Sequence, residues 1–435
     1  MSAEIPPWLR PPQAWRGERR AAIIGAGFAG TAAALALARR GFAVTLVERH
    51  AAPAGEASGN PLAVAMHTPA RQPNPRAAFH AAAFEHFLDH IARLDADGQP
   101  AGYRQCGVLS LRDSDADWPQ TPLQLSVDRA AAEALAGQPL PAHIRRALWL
   151  PRAGCQPAPA LCAAQLAASG AGLIAGREVA RLQRAADGRG DHWLLRDAAG
   201  ATICRAPLVV IAAGRDAARL APGLPLQPLR GQIGQFPAAA IDAAPRCAIC
   251  AAGYVAPDAD GGIVFGASYH PGVADDALWL SDRAANLARL RSLLPALRCD
   301  PAAIRERAAV RIGTPDRLPL AGGLPDWAQC LRDYGDLHRG PRHRDFAPLR
   351  YRPGLYLACG LGSRGATTAA LVAEVLADQI EGRDNRWARL LHPARALIGQ
   401  LRRKPEHRRG AVLAMAEAAA LEMARERGLN REGGW

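Results

Sequence analysis

Residues 21–30 read Ala-Ala-Ile-Ile-Gly-Ala-Gly-Phe-Ala-Gly, a short apolar run that leads into three closely spaced glycines. An alanine-rich stretch, 31–40, follows the glycines, and a second apolar run ends at Glu48. Strand, glycine turn, helix, strand and acid follow one another in this order in the βαβ unit that binds dinucleotides. The sequence therefore predicts a Rossmann-like α/β domain at this end of the chain.

Each residue of this pattern has a physical role. Gly25 permits the tight turn, Gly27 lets the backbone approach a pyrophosphate, and Gly30 lets the helix and the strand pack closely. The N-terminus of the helix supplies amide donors and a favourable dipole. Glu48, which lies 18 residues after Gly30, would accept hydrogen bonds from ribose hydroxyls. By itself, the pattern fits NAD and FAD equally well.

Length and composition bound the architecture. With 435 residues the chain is long enough for two closely joined domains with a large core. Its apolar runs are shorter than the roughly 18 residues of a membrane span, and prolines occupy the region where a signal peptide has its apolar core. The nine cysteines have no framework spacing, which fits reduced thiols. We therefore expect a cytoplasmic protein that has no membrane partner.

The charge balance favours a polyanionic partner. The chain has 53 basic and 40 acidic residues, a formal net charge of +13, and such an excess attracts nucleic acid. An arginine-rich genome would produce the same excess, since Lys404 is the only lysine. A basic run near the C-terminus is likewise either a nucleic-acid contact or a solvated surface. It contains Arg395, Arg402, Arg403, Lys404, Arg408 and Arg409.

A second glycine-rich turn lies late in the chain. The apolar run 355–359 leads into Gly-Leu-Gly-Ser-Arg-Gly at 360–365 and then into an alanine-rich helix. An earlier apolar run, 208–211, ends close to Gly214, which would let the backbone pass near a ligand. Because the late turn again presents backbone amides at a helix start, we expect both ends of the domain to converge on one large dinucleotide such as FAD.

Several stretches carry a resemblance to a known family. They are Ala21 to Gly30, Gly55 to Asn60, Arg230 to Gln232, Gly253 to Pro257, Gly266 to His270, Arg311, Thr314 to Leu320, and Leu361 to Gly365. In this order and spacing the chain resembles the FAD-dependent half of the bifunctional tRNA wobble-uridine enzymes of the MnmC family, within the D-amino-acid/glycine oxidase superfamily. The similar stretches span roughly residues 19–385.

The resemblance implies an α/β fold in which a discontinuous, Rossmann-like FAD-binding domain holds an inserted α+β substrate domain of the D-amino-acid oxidase type. We expect residues 1–18 to form an irregular leader and 386–435 a basic helical tail. The FAD-binding domain would comprise 19–100, 150–225 and 345–385, and the substrate domain 101–149 and 226–344.

The resemblance also implies an activity. FAD would oxidise the carboxymethylaminomethyl group of the tRNA wobble (2-thio)uridine to an imine, whose hydrolysis gives the aminomethyl nucleoside and glyoxylate. That group is in effect an N-substituted glycine, so a fold like that of glycine oxidase would suit it. In such an enzyme the flavin performs the redox chemistry, and the protein supplies orientation and electrostatics.

Residue roles follow from the same resemblance. Arg311 falls where the superfamily has its carboxylate-binding arginine, and a planar guanidinium can hold a carboxylate in a bidentate pair. Tyr269 and His270 would either line the substrate pocket or pack at a strand end, and Arg364 would face either flavin or substrate. The predicted flavin contacts are Ser58, Gly59 and Asn60 near the phosphates and ring, and Gly362, Ser363 and Gly365 near the pyrimidine edge.

Two departures from the family pattern affect the flavin site. Ala63 stands where the tRNA enzymes have glycine, and Met66-His67 where they have an aromatic residue or histidine followed by proline. The backbone near the flavin can therefore follow a different path from that of the family. Some relatives use a lysine above the flavin to promote the reaction with oxygen, but Lys404 lies in the tail. The electron acceptor therefore stays open.

The cysteines offer functional alternatives that the sequence disfavours. Cys247 and Cys250 form a CxxC pair, which is typical of redox or zinc sites, yet a second pair is missing and the segment reads as a strand. We expect structural thiols and no metal. Cys359, just before the second glycine turn, is either a covalent flavin attachment point or a packed thiol.

One expectation about a methyltransferase and two rival functions complete the predictions on activity. Only about 20 residues precede the first strand, so we expect no methyltransferase half and a separate methyltransferase that acts on the aminomethyl product. The main rival is an FAD-dependent oxidase of a free small amino acid or amine, such as glycine, sarcosine or a D-amino acid. A flavin-loaded tRNA-binding protein with little turnover is the rival of another class.

Overall fold

The computed structural model describes residues 5–111, 118–187, 190–408 and 410–426. Arg409 lies outside these residues, as do the first four residues of the leader and the last nine of the tail. The described strands are β1 Arg20–Ile24, β2 Ala43–Val47, β3 Ala63–Ala65, β4 Val108–Leu111, β5 Leu125–Asp128, β6 Arg146–Leu150, β7 Gly154–Gln156, β8 Gly172–Ile174, β9 Arg181–Asp187, β10 Gly190–Arg196, β11 Thr202–Ala206, β12 Leu208–Ile211, β13 Gln227–Phe236, β14 Ala248–Cys250, β15 Tyr254–Pro257, β16 Ile263–Gly266, β17 His270–Pro271, β18 Arg305–Gly313, β19 Leu320–Pro325 and β20 Tyr351–Cys359.

The helices occupy the segments between these strands and the C-terminal region. They are α1 Phe28–Ala38, α2 Pro75–Ala96, α3 Arg129–Ala136, α4 Ala158–Ser169, α5 Ala217–Leu220, α6 Leu280–Leu293, α7 Trp327–Tyr334, α8 Gly365–Glu381, α9 Arg395–Leu401 and α10 Gly410–Glu426. Within the described residues, no helix is both long and apolar enough to cross a membrane.

The first sheet confirms the predicted Rossmann-like domain. Among the described strands, six form it in the order β19-β20-β12-β1-β2-β8. β1 pairs in parallel with β12 on one side and with β2 on the other. The strand order therefore reverses at β1, and in open α/β sheets ligands bind beyond the carboxyl ends of the strands at such a point.

Small side chains allow α1 to lie in the interior. Every residue from Phe28 to Leu37 is buried, and the helix packs against α4 and α8. A Cβ atom at Gly30 would lie only 1.8 Å from the carbonyl oxygen of Gly25. The third glycine of the turn is therefore required for the helix to sit this close to the strand, as the sequence predicts.

In a second, larger sheet β13 pairs with three other strands. β13 pairs antiparallel with β16, β17 and β18, and the order continues through β15, β14, β4, β6 and β5. The strands from 108–150 and from 227–313 thus meet in one sheet, in line with a substrate domain assembled from two separate segments. Two smaller sheets, β11-β10-β9 and β3-β7, complete the described fold.

One predicted boundary needs correction. The sequence assigns 226–344 to the substrate domain, but β19 pairs antiparallel with β20 and forms the edge of the dinucleotide sheet. An apolar run predicts a strand without indicating the sheet it joins, since that choice depends on pairing between distant residues. The other domain boundaries stay a prediction.

The described part of the leader contains one short 3-10 turn, Pro7–Leu9, and part of it packs onto the protein. Trp8 is 6% exposed, and its ring meets that of Phe346 edge-on with 5.4 Å between centroids. The backbone N–H of Trp15 donates to the carbonyl oxygen of Ile380, 2.7 Å away. Trp8 and Leu9 of this segment therefore belong to the hydrophobic core, and the Trp15 hydrogen bond fixes its end to α8.

Candidate active site

A cavity of about 1020 Å³ is lined by residues of both large sheets. The dinucleotide sheet contributes the carboxyl ends of β1, β2, β12 and β20, and the other sheet contributes β18 and the turns before β15 and after β16. Ligand pockets typically measure about 300–1,000 Å³. The cavity therefore has room for a large ligand and lies where the topology predicts one.

The first glycine turn fits a dinucleotide at the cavity wall. Gly25 and Gly27 line the cavity. Gly25 has a φ of +99°, and a Cβ there would lie 2.6 Å from the carbonyl oxygen of Ala212. A Cβ at Gly27 would lie 2.9 Å from the Ser58 hydroxyl oxygen. Glycine at both positions therefore keeps the backbone close-packed beside the start of α1, where amide donors and the helix dipole favour a phosphate.

Glu48 lines the same cavity with its carboxylate held by the backbone. One oxygen accepts a hydrogen bond from the N–H of Ala26 at 2.7 Å, and the other accepts from the N–H of His50 at 2.9 Å. The side chain is 7% exposed. Its orientation is therefore fixed by the glycine turn itself, and a carboxylate keeps further acceptor capacity for a ribose hydroxyl.

The loop 55–60 brings predicted residues to the start of α1. The Ser58 hydroxyl accepts a hydrogen bond from the N–H of Phe28 at 3.1 Å, which supplies the cap that Gly27 lacks. Ser58 and Asn60 line the cavity, whereas Gly59 does not. A Cβ at Gly59 would lie 2.3 Å from the carbonyl oxygen of Ala54, so this glycine permits the close turn behind the wall.

Sequence reasoning missed the residue that holds this loop. Arg307 on β18 donates to the carbonyl oxygens of Gly55 at 3.0 Å and Glu56 at 2.6 Å, and to Oδ1 of Asn60 at 2.8 Å. Burial is the main factor lowering the pKa of Arg307. A signal was available, because residues four apart on a strand share a face and Arg307 therefore faces the same way as Arg311.

The second glycine turn reaches the other side of the cavity. Gly362, Ser363 and Gly365 line it, and so does Gly214 after β12. Gly214 and Gly362 have φ values of +52° and +58°, which glycine adopts without strain. The two ends of the discontinuous sequence thus meet at one site, as the sequence predicts, while their contacts with a cofactor stay a prediction.

Arg311 projects from β18 into the cavity. Its Nη1 donates to the Ser363 hydroxyl at 3.2 Å, and no acidic side chain in the described residues forms an ion pair with it. Burial lowers the pKa of Arg311, while Tyr254 and Tyr269 act in the opposite direction. A half-buried guanidinium without a carboxylate partner is a site for an anion, because burying an unpaired charge costs free energy that a ligand recovers.

The Arg230-Gly231-Gln232 motif makes room for this guanidinium. A Cβ at Gly231 would lie 2.2 Å from Nη2 of Arg311. Arg230 and Gln232 alternate with Gly231 along β13 and point to the other face, where both are 0% exposed. There Arg230 pairs with Asp282 and its guanidinium stacks on the Trp279 ring, 3.8 Å from the centroid. Successive residues of a strand point to opposite faces of the sheet, so the motif places a glycine against Arg311 and two polar side chains in the buried network behind it.

Tyr254 is a further site residue that the sequence quotes within a motif but does not single out. It lines the main cavity and the small adjoining one together with Arg311. Burial raises the pKa of Tyr254, which the charge of Arg311 partly offsets. The phenol therefore stays protonated and available as a hydrogen-bond donor beside the guanidinium.

The structure separates two neighbours that the sequence treated together. Tyr269 lines the cavity at its rim and is 50% exposed. His270 is not among the lining residues, and its Nε2 lies 2.8 Å from Oδ1 of Asp282. Tyr269 thus remains a candidate contact for the substrate, whereas His270 belongs to the buried network around Asp282.

Arg364 lines the cavity and lies next to two buried histidines. Its Nη1 is 3.4 Å from the carbonyl oxygen of Met66. Burial, followed by the charge of Arg364, lowers the pKa of His80 to about 4 and also lowers the pKa of His67. Both rings are therefore neutral at pH 7, so Arg364 supplies positive charge on this side of the cavity.

The cysteines near the cavity are free thiols. Cys247 is buried on the approach to β14 and Cys250 ends that strand. Cys359 lines the cavity, and burial raises its pKa to about 12, so its sulfur is protonated and weakly nucleophilic. Within the described residues, no group of three or more His, Cys, Asp or Glu side chains is arranged to hold a metal ion.

The basic run near the C-terminus is partly engaged in the fold. Arg395 forms an ion pair with Asp316 at 2.7 Å and donates to the carbonyl oxygens of Leu318 and Pro319. Arg408 donates to the carbonyl oxygens of Gly335 and Leu401. Arg402, Arg403 and Lys404 are exposed. Of the described residues in this run, these last three are therefore the most accessible to a polyanion.

Comparisons with known proteins support a family assignment. The model of the DAO family, described as FAD dependent oxidoreductase, matches residues 20–379. The tRNA 5-methylaminomethyl-2-thiouridine biosynthesis bifunctional protein MnmC of Burkholderia thailandensis is 42% identical over 411 residues, which cover 89% of this chain and 61% of that protein. The protein of the same name from Burkholderia multivorans is 39% identical over 90% of this chain. The chain thus spans about three fifths of the length of these curated relatives.

Solved structures agree on the fold. Glycine oxidase from Geobacillus kaustophilus has a TM-score of 0.67 at 21% identity and covers 86% of this chain and 99% of its own. Iminodiacetate oxidase from Chelativorans sp. BNC1 has a TM-score of 0.65 at 20% identity, with 84% of this chain and 96% of its own covered. On its sequence and its fold, the chain belongs to the DAO family of FAD-dependent oxidoreductases.

Proposed function

We propose that this protein uses FAD to oxidise the carboxymethylaminomethyl group on the wobble (2-thio)uridine of tRNA, giving the aminomethyl nucleoside and glyoxylate. The observation that carries the proposal is Arg311, a guanidinium in the cavity wall without a carboxylate partner among the described residues. The names of the relatives from Burkholderia support tRNA as the substrate, and a net charge of +13 is in line with a polyanionic one.

Arg311 would bind the carboxylate of the glycine-like side chain. A bidentate pair between guanidinium and carboxylate fixes both position and orientation. Ser363 lies within hydrogen-bond distance of Nη1, so it holds the guanidinium at the turn next to the cofactor site. The planar guanidinium is preorganised for such a pair. Because it is held at Ser363, the substrate carbon that loses hydrogen would lie near the second glycine turn.

Tyr254 would act beside Arg311. Its hydroxyl is protonated and buried at the same end of the cavity, so it can donate a second hydrogen bond to the carboxylate. Because His67 and His80 are neutral, Arg364 would supply the positive charge beside them, next to Ser363 in the second glycine turn. These groups bind and orient the substrate without transferring a proton.

The residues that would hold FAD belong to the two glycine turns and the loop between them. We assign the pyrophosphate to Gly25, Gly27 and the start of α1, the ribose to Glu48, and the flavin edge to Gly362, Ser363 and Gly365. Bound FAD supplies the two-electron oxidation at the carbon between amine and carboxylate. Water then hydrolyses the imine product and releases glyoxylate.

The test is nucleoside analysis. Holoprotein is incubated with tRNA that carries carboxymethylaminomethyluridine, nucleosides are identified by mass spectrometry, and glyoxylate is trapped as a hydrazone. We expect equal amounts of aminomethyluridine and glyoxylate. Rapid turnover of free glycine or sarcosine without any aminomethyl product would instead identify an amine oxidase. Tight tRNA binding without flavin reduction would identify a binding protein.

The proposal extends to the cellular setting. A tRNA substrate places the protein in the cytoplasm, and an aminomethyl product requires a methyltransferase activity to complete the modification, consistent with the bifunctional relatives. Adding such a methyltransferase with its methyl donor to the reaction should convert the product to the methylaminomethyl nucleoside. Failure of that conversion with an active methyltransferase would contradict the assigned product.

A further inference from the structure

Two thiols outside the proposed mechanism lie in contact behind the cavity. The sulfur atoms of Cys106 and Cys155 are 3.6 Å apart. Cys155 is 0% exposed, whereas Cys106 is partly exposed. One thiol is therefore open to a small reagent from solvent, and the other is protected directly beneath it.

Backbone pairing explains this proximity. The backbone groups of Arg104 and Cys155 exchange two hydrogen bonds, of 2.9 and 3.0 Å, while the N–H of Gly107 donates to the carbonyl oxygen of Ala153 at 2.9 Å. Two residues, 105 and 106, thus stand opposite the single residue Gly154. Such a bulge re-aims a side chain, and it turns Cys106 towards Cys155.

The local packing keeps the two backbones close. A Cβ at Gly154 would lie 2.0 Å from the carbonyl oxygen of Arg104, and one at Gly107 would lie 1.8 Å from the Trp149 ring. Glycine at these positions therefore permits a separation that other residues would widen. The thiol pair is held in place by the fold and does not depend on a flexible loop.

The surroundings favour reaction at Cys106. A hydrogen bond with Cys155 lowers the pKa of Cys106 below its ordinary value, and the amide of Ala248 and the charge of Arg104 act in the same direction against burial. The hydrogen bond with Cys106, followed by burial, raises the pKa of Cys155. A low-pKa, accessible thiol beside a resolving thiol is the arrangement of redox-sensitive cysteines.

We propose that Cys106 and Cys155 form a reversible dithiol–disulfide pair that is oxidised by hydrogen peroxide and that weakens carboxylate binding in the adjacent cavity when oxidised. The Cys106 thiolate attacks one peroxide oxygen, the O–O bond breaks, and hydroxide leaves. The Cys155 sulfur then attacks the resulting sulfenic acid, an S–S bond forms, and water leaves. Two thiols are oxidised by two electrons, and one peroxide is reduced to two waters.

The coupling to the cavity follows from strand pairing. Cys155 pairs with Val64 across β7 and β3, and Ala63 and Val64 line the cavity. A disulfide requires the two sulfur atoms to approach to about 2.05 Å, so they must move by more than 1 Å. Because packed interiors transmit such shifts, we expect β3 to be displaced, and with it Tyr254, which lies close enough to Cys155 for that thiol to affect the pKa of Tyr254. The thiol pair does not depend on tRNA as the substrate, whereas its effect on carboxylate binding rests on the role proposed for Arg311.

Peroxide treatment of the holoprotein tests the site. We expect two of the nine thiols to be lost, a Cys106–Cys155 disulfide in the peptide map, and full reversal by dithiothreitol. Cys106→Ala and Cys155→Ala should each abolish it. Cys204→Ala, a matched change at another partly buried thiol on β11, should leave it intact. Overoxidation of Cys106 without a disulfide, or a disulfide between other cysteines, would overturn the assignment.

A binding experiment tests the coupling. Glycolate, a small carboxylate, is titrated against the holoprotein while the flavin absorbance is followed. We expect oxidation to raise the Kd for glycolate several-fold in the unmodified chain and in Cys204→Ala, but not in Cys106→Ala. An unchanged Kd in a preparation whose disulfide is complete would overturn the coupling.

Discussion

Arg307 and Arg311 lie four residues apart on one face of β18, yet their surroundings differ. Arg307 donates to three acceptors of the loop 55–60. Arg311 has the Ser363 hydroxyl as its hydrogen-bond partner within the described residues, and no carboxylate. One strand thus carries a guanidinium that the chain satisfies and one that it leaves for a ligand. The number of hydrogen-bond acceptors, rather than residue type, therefore distinguishes the arginine that holds the loop from the one that we propose binds substrate.

Removal of Arg311 should have the largest effect. We expect Arg311→Ala to lower kcat/KM by a factor of about 30 to 1,000, which corresponds to about 2–4 kcal/mol for a desolvated charge pair. FAD should stay bound, because within the described part of the chain Arg311 has no hydrogen bond to the loop 55–60. Steady-state kinetics and the flavin spectrum measure both quantities. Arg311→Lys keeps the positive charge but loses the bidentate guanidinium, so its kcat/KM should lie between those of the unmodified chain and Arg311→Ala.

Removal of Arg307 should have the opposite effect, weakening the binding of FAD rather than that of the substrate carboxylate. We expect Arg307→Ala to raise the Kd for FAD by about 10-fold or more, because three hydrogen bonds from a charged group to the loop 55–60 are lost. At saturating FAD, binding of glycolate should stay nearly unchanged. Equilibrium dialysis measures the first quantity and absorbance titration the second. Arg305→Ala, at an exposed position of the same strand, is the matched control and should leave both unchanged.

Tyr254→Phe should have a smaller effect at the Arg311 end. The change removes one hydroxyl and keeps the ring, so we expect a loss of about 0.5–1.5 kcal/mol, or roughly 2- to 13-fold, in carboxylate affinity. The Kd for glycolate measures it. An increase in the Kd for FAD with no change for glycolate would place the hydroxyl at the cofactor instead.

The same contrast recurs in the tail, where the expected effect is smallest. Arg395 is satisfied by Asp316 and two carbonyl oxygens, whereas Arg402 is exposed. We expect Arg402→Glu to weaken tRNA binding a few-fold at low salt, with a smaller salt dependence. Arg395→Ala should instead lower the melting temperature and leave tRNA binding unchanged. Filter binding at several salt concentrations and thermal unfolding distinguish the two residues.

Much of the fold could be predicted because its signals are local. Glycine spacing, apolar runs and Glu48 identify β1, α1 and β2 within residues 20–48, and each glycine role depends on neighbours in the same turn. The assignment of β19 to the dinucleotide sheet could not be predicted in this way. Its pairing with β20 joins residues that are separated by α7 and a long loop, and no periodicity encodes that choice.

The sequence could predict those residues of the candidate site that lie within recognisable motifs. Arg311, Ser58 and the turn 360–365 lie in stretches that resemble the family, and they converge on one cavity. Arg307 and Tyr254 were missed as site residues because their roles depend on which side chains they meet across two domains. The nearness of Cys106 and Cys155 depends on a bulge, which composition and spacing do not indicate.

Anaerobic reduction of the flavin by tRNA tests the central claim most directly. The unmodified chain and Arg311→Ala are mixed in stopped flow with tRNA that carries carboxymethylaminomethyluridine, and with tRNA that carries aminomethyluridine, which lacks the carboxylate. The account predicts rapid bleaching only for the unmodified chain with the carboxymethylated tRNA. Equal bleaching with both tRNAs, or undiminished bleaching in Arg311→Ala, would contradict it.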